Sequence, residues 1–132
     1  MDFIQKEKGI EVIEVNPRFQ GSLDTIGLSC GMNVFDAHVR SFSGELPKPG
    51  KYLRFTAKNI LYSGKNIVVD EPLYSRLIKC MKMERVEDIP EMGKTIREGE
   101  PLTTLLETGR TREIALEKVE RSSQYIKGMT EV

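Results

Sequence analysis

Two short runs of strand-forming residues near the start of the chain flank a polar link that ends in glycine, and this pattern predicts a β-hairpin. The strands are expected over residues 2–5 and 10–16, joined by Lys6-Glu7-Lys8-Gly9. A three-residue loop of Glu7, Lys8 and Gly9 would place the glycine at the left-handed position that such loops favour. The pairing expected from this loop is Lys6 with Ile10, Ile4 with Val12, and Asp2 with Glu14.

This register sets the carboxylates of Asp2 and Glu14 opposite each other, with Cβ atoms about 4.5–5.5 Å apart. Like charges in that position destabilise a strand pair, whereas a cation bound between them would turn the pair into a site. Because side chains alternate along a strand, Glu14, Asn16 and Arg18 are expected on one face. Two oxygen donors and a guanidinium suit a divalent cation that holds a phosphate. The alternative is an exposed hairpin whose acids face water.

The stretch DFIQKEKGIEVIEVNPRFQGSLDT, residues 2–25, resembles the last two catalytic strands of ATP-grasp enzymes. This superfamily includes biotin carboxylase, D-alanine–D-alanine ligase and carbamoyl phosphate synthetase. The resemblance consists of an acid on one strand, a turn that contains glycine, and then Glu-x-Asn-x-Arg. Within the superfamily, the segment EVNPRFQGSLD is similar to the sequences of a branch of predicted carboligases related to biotin carboxylase. The resemblance implies ATP and two Mg²⁺ ions as cofactors.

The resemblance also implies a role for each matching residue. Asp2 would match the first metal acid, and Glu14 the acid that bridges both Mg²⁺ ions. Asn16 would match a ligand of the second metal, and Arg18 the catalytic residue that steadies the transferred phosphoryl group or the acyl phosphate. Glu14, Asn16 and Arg18 would together hold the phosphates of the nucleotide. These roles agree with the preference of Mg²⁺ for oxygen ligands and with the planar fork that arginine offers to phosphate.

The residues next to this motif carry further expectations. Pro17 has no N–H and is expected to end the ladder of the hairpin. Three apolar residues that alternate with the site are expected to face a core behind it: Phe3, Ile13 and Val15. The resemblance makes three residues candidates for contacting the acceptor substrate, beside a helix N-terminus that favours anions: Gln20, Gly21 and Ser22. An ordinary strand-to-helix turn is the alternative for this segment.

Two helices are expected after the hairpin. Ser22 or Asp24 can cap the first, which would end near Gly31. Asn33 can cap the second, which Gly44 would stop and which has apolar residues and a histidine at helical spacing: Val34, Phe35, His38, Val39 and Phe42. The segment Leu46-Pro47-Lys48-Pro49-Gly50 predicts a boundary. It separates a C-terminal part of an ATP-grasp catalytic domain, residues 1–46, from a smaller subdomain, residues 51–132.

Residues 51–132 predict a small β-rich subdomain with a terminal helix. Strands are expected over 52–61 and 66–69, while residues 73–83 suit either a helix or a strand. Three turn glycines separate short apolar runs that are typical of small antiparallel strands: Gly93, Gly99 and Gly109. Thr111 can cap the last helix, whose apolar face is expected to comprise Ala115, Leu116, Val119, Ser123 and Ile126. The fold class expected is therefore α+β: the end of an ATP-grasp antiparallel sheet with two helices, then the β-rich subdomain and its helix.

The second half also resembles the C-terminal subdomain of biotin carboxylase-like enzymes. The matching residues are Asp88-Ile89-Pro90, Gly93, Gly99-Glu100-Pro101 and Gly109-Arg110-Thr111-Arg112-Glu113. This resemblance implies a role in packing and oligomer contact rather than in chemistry.

Composition narrows the class of partner. Lys and Arg total 20, as do Asp and Glu, so the formal net charge is zero and bulk attraction to nucleic acid or to an anionic membrane is not indicated. No apolar run approaches the ~20 residues that a membrane helix needs. Cys30 and Cys80 do not have metal-binding spacing and are expected to be buried free thiols, which favours the cytoplasm. His38 is expected to pack rather than to act in catalysis.

Length makes a complete ATP-grasp enzyme difficult to accommodate in 132 residues. The chain is expected to be the C-terminal portion of an ATP- and Mg²⁺-dependent carboxylate ligase that needs upstream nucleotide-binding subdomains or a separate subunit. It would join a small carboxylate to a nucleophile through an acyl phosphate, and alone it is expected to be inactive and to self-associate. A non-catalytic accessory or relic subunit is one alternative. A biotin-carrier-like module is another, because Met81-Lys82-Met83 is the tripeptide that carries biotin in such domains.

Overall fold

The computed structural model describes residues 1–16, 18–48, 50–83 and 86–130. Within these ranges the chain is an α+β protein with four helices and antiparallel sheets. The elements in chain order are β1 (Asp2–Lys6), β2 (Gly9–Glu14), α1 (Leu23–Cys30), α2 (Val34–Ser41), β3 (Phe55–Tyr62), β4 (Ile67–Val68), α3 (Glu71–Met81), β5 (Val86–Glu87), β6 (Thr95–Ile96), β7 (Pro101–Gly109) and α4 (Arg112–Thr130). The strands form the hairpin β1-β2, a sheet in the order β3-β7-β5, and a small pair β4-β6.

The three-stranded sheet is the centre of the fold. Its middle strand β7 runs antiparallel to both neighbours. One face is covered by α4, where the Asn59 amide donates to the Ser123 hydroxyl over 2.9 Å. The other face meets α1, where the Ser29 hydroxyl donates to that of Thr56 over 2.9 Å. Residues 56 and 59 lie on opposite faces of β3 because side chains alternate along a strand.

A single apolar cluster joins this sheet to α3, α4 and the β4-β6 pair. Its buried members are Ala57, Leu61, Val69, Leu73, Leu77, Val86, Ile96, Leu102, Leu105, Ala115, Val119 and Ile126. α3 enters the cluster through Leu73 and Leu77 and begins at Asp70, whose side chain accepts a hydrogen bond from the Leu73 amide. This N-cap, followed by a proline in the first turn, fixes where the helix starts. The segment that suited either helix or strand is therefore a helix.

The hairpin pairs in a register that differs in part from the predicted one. Asp2 lies opposite Glu14 as predicted, but Lys6 pairs with Gly9 and Ile4 with Glu11. The loop is thus two residues long, and Gly9, with φ of 145°, belongs to the strand rather than to the loop. A bulge between Asp2 and Phe3 then takes up one extra residue of β2 and restores the Asp2–Glu14 pair.

The expectation that the hairpin has a core behind it is wrong for the described residues. Phe3, Ile13 and Val15 are 50%, 65% and 68% exposed. The apolar residues of the opposite alternation are also exposed: Ile4, Ile10 and Val12. The described part of the chain supplies no helix or strand that packs extensively on either face, so the hairpin packs mainly on itself.

Both predicted N-terminal helices are present, and their caps explain their ends. The first runs from Leu23 to a C-cap at Gly31, whose φ of 62° favours glycine. The second starts at Asn33, whose side chain accepts from the Asp36 amide over 2.9 Å. The apolar face of α2 stays exposed, and His38 lies edge-on to Phe19 and to Phe42 at ring-centroid distances of 4.9 and 5.3 Å. His38 therefore packs against two aromatic rings while its side chain stays exposed.

The terminal helix starts after Thr111, whose hydroxyl accepts from the Ile114 amide over 3.3 Å. Four of its five expected core residues are buried, but Leu116 is 43% exposed. Leu116 stays outside the core because it lies at the edge of the helix face that packs on β7 and β3. Among the described residues, no helix has both the length and the apolar character needed to cross a membrane.

Two isoleucines test whether stability resides in the sheet layer rather than in the hairpin. Ile126 is 1% exposed and Ile13 is 65% exposed. We expect Ile126→Ala to lower the free energy of unfolding by about 2–5 kcal/mol, because it opens a cavity in the core. The Ile13→Ala substitution should change the free energy of unfolding by less than about 0.5 kcal/mol. Urea denaturation of both variants measures the difference, and equal losses would contradict this division of the fold.

Candidate functional site

The acidic end of the hairpin brings together two of the residues that the sequence singled out. Asp2, the first residue of β1, is the direct cross-strand partner of Glu14, the last residue of β2. Both side chains are exposed, so each carboxylate remains open to a ligand from solvent. The repulsion between them is a cost that a cation placed between the two strands would remove.

Asn16 joins this pair from just beyond the end of β2. Its side-chain amide donates to a carboxylate oxygen of Asp2 over 3.3 Å. The amide carbonyl oxygen is carried by the same planar group, and a half-turn about the last side-chain bond exchanges it with the nitrogen. Two carboxylates and one amide oxygen are therefore available at one end of the hairpin, a donor set that suits Mg²⁺.

Arg18 is not placed by strand alternation. The strand was expected to run to Asn16 but ends at Glu14, and the backbone then turns so that the Arg18 amide donates to the Asn16 carbonyl over 2.9 Å. A face shared by Glu14, Asn16 and Arg18 does not follow from that geometry. The Arg18 side chain is exposed and forms no ion pair with any described residue. The predicted role of Pro17 in ending the ladder lies outside the described residues.

The acids of the described residues are too dispersed to form an all-carboxylate metal site. Over the described ranges, no group of three or more His, Cys, Asp or Glu side chains converges on one point. A cation at the hairpin would thus take two carboxylates from the protein, one amide oxygen from Asn16, and its remaining ligands from water or phosphate. Mg²⁺ commonly binds in this way.

The turn Gln20–Ser22 connects the hairpin segment to α1. The Gln20 carbonyl accepts from the Leu23 amide over 3.1 Å, and the Ser22 carbonyl accepts from the Thr25 hydroxyl over 2.7 Å. Although Ser22 is the N-cap residue, its side chain forms no capping hydrogen bond. The Ser22 side chain therefore does not cap the first-turn amides of α1. An anionic substrate at this helix N-terminus would need amides that are free to donate.

Lys58 of β3 holds this turn against the central sheet, and sequence reasoning missed it. Its ammonium group donates to the Gly21 carbonyl over 2.9 Å and forms an ion pair with Asp24 in the first turn of α1. The two side chains are 21% and 31% exposed, so the pair is partly shielded from water. The available signal was a lysine in a strand of otherwise apolar or uncharged residues, but nothing in the sequence named a partner 34 positions away.

Glu87 on β5 lies within the electrostatic reach of this ion pair. Desolvation raises the pKa of the Glu87 carboxyl, and the negative charges of Asp24 and Asp88 raise it further, while Lys58 lowers it. Asp88 itself accepts a hydrogen bond from the Thr104 hydroxyl of β7 over 2.7 Å. Three acids, of which Asp24 lies on α1, Glu87 on β5 and Asp88 just after β5, therefore act electrostatically near Lys58, and that lysine orders the turn before the helix.

Comparison with known proteins identifies one distant relative. The "Uncharacterized protein MJ0776" of Methanocaldococcus jannaschii is 25% identical to this chain over 127 residues. The match covers 96% of this chain and 30% of the relative, so the chain spans less than a third of the length of the curated relative it matches. No protein-family model matches the chain. No solved structure matches it closely enough to indicate a relationship.

Removing the ammonium group of Lys58 should loosen the turn before α1. We expect Lys58→Met to lower the free energy of unfolding by roughly 1–2 kcal/mol, because a partly shielded charged hydrogen bond is lost. Amide exchange at Leu23 should accelerate, since that amide bonds to Gln20 inside the turn. Hydrogen exchange followed by NMR measures this, with Lys65→Met as the exposed control. Unchanged exchange at Leu23 would show that Lys58 does not hold the turn.

Because the pKa of the Glu87 carboxyl is raised in the folded protein, its ionisation is expected to lower the free energy of unfolding at neutral pH. A carboxyl whose pKa is higher in the folded state stabilises the fold below the unfolded value of about 4.3, and this contribution is lost as pH rises through the folded pKa. Glu87→Gln should therefore be more stable than the wild type at pH 7, by less than about 1 kcal/mol because much of the side chain is exposed. The difference should vanish below about pH 4. Thermal melts across pH test this, and Glu91→Gln, an exposed control, should show no such trend.

Proposed function

We propose that this chain supplies the metal-binding end of an ATP-dependent carboxylate ligase of the ATP-grasp type. The hairpin would hold Mg²⁺ through Asp2, Glu14 and Asn16, and the metal would supply positive charge for the phosphates of ATP. The reaction would activate a carboxylate as an acyl phosphate, which a nucleophile then attacks. This proposal combines the resemblance of residues 2–25 with the geometry of the hairpin.

One observation carries the proposal: Asp2 lies directly across from Glu14, and the Asn16 amide contacts Asp2 over 3.3 Å. A hairpin selected only for stability would not be expected to place two carboxylates opposite each other, since like charges there are unfavourable. The pair makes physical sense when a cation occupies the space between the strands. The exposure of both acids then allows the phosphates and water to complete the coordination shell.

The residues beyond the hairpin have roles that follow from the same proposal. Mg²⁺ would neutralise the charge that develops as the γ-phosphoryl group leaves. Arg18, exposed and without an ion-pair partner among the described residues, would approach the transferred group with its guanidinium fork. The turn at Gln20–Ser22, ordered by Lys58, would contact the acceptor substrate beside the start of α1. The adenine and ribose would be held by nucleotide-binding subdomains or by a separate subunit.

The biotin-carrier alternative requires a lysine at the tip of an exposed hairpin. Lys82 is instead the C-cap residue of α3, and Met81 is the last residue of that helix. No described feature favours that alternative over the ligase proposal.

A Mg²⁺ titration followed by ¹H–¹⁵N NMR tests the metal site on the isolated chain. We expect weak binding, because the phosphates that complete the shell are absent, with shifts centred on residues 2–3 and 14–16. Asp2→Asn and Glu14→Gln should each weaken binding by at least about tenfold, since each removes one of two charged ligands. Glu11→Gln is the matched control, because Glu11 lies on the same strand away from the Asp2–Glu14 pair.

The result against the proposal would be equal Mg²⁺ affinity in the wild type and in both site variants. A loss of affinity in Glu11→Gln as large as that in Glu14→Gln would also contradict it, because the effect would then reflect net charge rather than a site. Repeating the titration with Mg²⁺-ATP distinguishes a phosphate-bridging site from a site for the bare ion.

A further inference from the structure

A groove of about 750 Å³ lies between α3 and the second half of α4, and neither the hairpin nor the turn before α1 lines it. The residues that matter for its chemistry are Arg76, Lys79, Cys80, Met83, Tyr125 and Met129. Its volume lies within the range of roughly 300–1,000 Å³ that is typical of small-molecule sites. The groove is therefore a second candidate site, separate from the residues of the proposed ligase site.

The inner wall of the groove is apolar. Val86 and Ile126 line it and are 2% and 1% exposed, so the groove reaches the main core of the protein. Around this wall, Met83 and Tyr125 are 55% and 64% exposed. An exposed aromatic ring beside flexible methionines adapts to apolar ligands of differing shape.

The charged residues that line the groove, within the described part of the chain, are all basic. On α3, Arg76 and Lys79 line it and form no ion pair with any described residue. On α4, Arg121 lines it and is paired with Glu117 one turn earlier. No acidic residue is among the described lining residues. In a chain of zero net charge, this places unpaired positive charge beside apolar surface.

We propose that this groove binds a small amphipathic carboxylate, with an apolar chain or ring against the inner wall and its carboxylate against Arg76 and Lys79. Arginine matches a carboxylate through two parallel hydrogen bonds, and lysine adds a point charge. A protein partner fits less well, because a stable interface buries at least about 1,200 Å² of surface in total, more than a groove of this size contributes. The acyl chain or aryl ring of the ligand would add to the binding free energy through the apolar area that it removes from water.

Cys80 makes the occupancy of the groove measurable. Cys80 is one of the residues that line the groove, while Cys30 belongs to α1 on the other side of the sheet, and both cysteines are free and half-buried. We expect decanoate, kept below its micellar concentration, to slow alkylation of Cys80 by iodoacetamide several-fold while leaving Cys30 unchanged. Peptide mass spectrometry separates the two rates in one sample.

Three comparisons test the role of charge. Arg76→Gln combined with Lys79→Gln should weaken decanoate protection of Cys80 by about tenfold or more. Lys94→Gln, an exposed lysine that does not line the groove, should leave it unchanged. Decanol and decylamine, which have the same chain without the negative charge, should protect Cys80 much less than decanoate.

The proposal is overturned if decanoate leaves the Cys80 rate unchanged or slows Cys80 and Cys30 alike. It is also overturned if decanol protects as well as decanoate, because the basic residues would then contribute nothing. An unchanged Cys30 alkylation rate in the ligand-free double variant would show that the substitutions leave the fold intact, and protection of Cys80 is measured in each variant as the ratio of its rates without and with decanoate. In that case a loss of protection reports the lost charges directly.

Discussion

The hydrogen-bonding of β7 on both of its edges is the constraint on which the rest of the fold depends. This strand pairs with β3 along eight positions and with β5 along two, and residues 102–106 are all buried. An interior strand satisfies its backbone groups on both sides, so it tolerates burial on both faces. The cover on one face comes from α4, and on the other face α1 brings the turn that Lys58 holds. If β7 were shifted by one residue against β3, the side chains of residues 102–106 would move to the opposite faces of the sheet.

The two candidate sites lie on parts of the molecule with very different surroundings. The groove between α3 and α4 has an inner wall that belongs to the main core, where Val86 and Ile126 are buried. The acids of the hairpin instead lie at the end of two strands that are exposed on both faces. Binding at the groove would meet a preformed surface, whereas a cation at the hairpin would help to order its own ligands. This difference follows from burial alone and holds whatever the ligands prove to be.

Local signals predicted the helices well and the hairpin only in part. Asn33, Gly31 and Thr111 are caps that act over a few residues, so their effects could be predicted from the sequence. The expected hairpin loop was one residue too long, but the bulge adds one residue to β2, and these two differences cancel at the Asp2–Glu14 pair. That half of the candidate site was therefore predictable. The contacts of Lys58 with the turn before α1, and the groove between α3 and α4, could not be predicted. Both depend on contacts between segments that are far apart in the chain.

The double exposure of the hairpin has a thermodynamic consequence. A two-stranded ribbon without cover is at best marginally stable in water, so we expect residues 2–14 to open locally at a cost far below that of global unfolding. Anything that binds only the closed ribbon shifts this local equilibrium by mass action. Part of the binding free energy of the cation would be used to order the strands, so cation binding would lower the mobility of the hairpin.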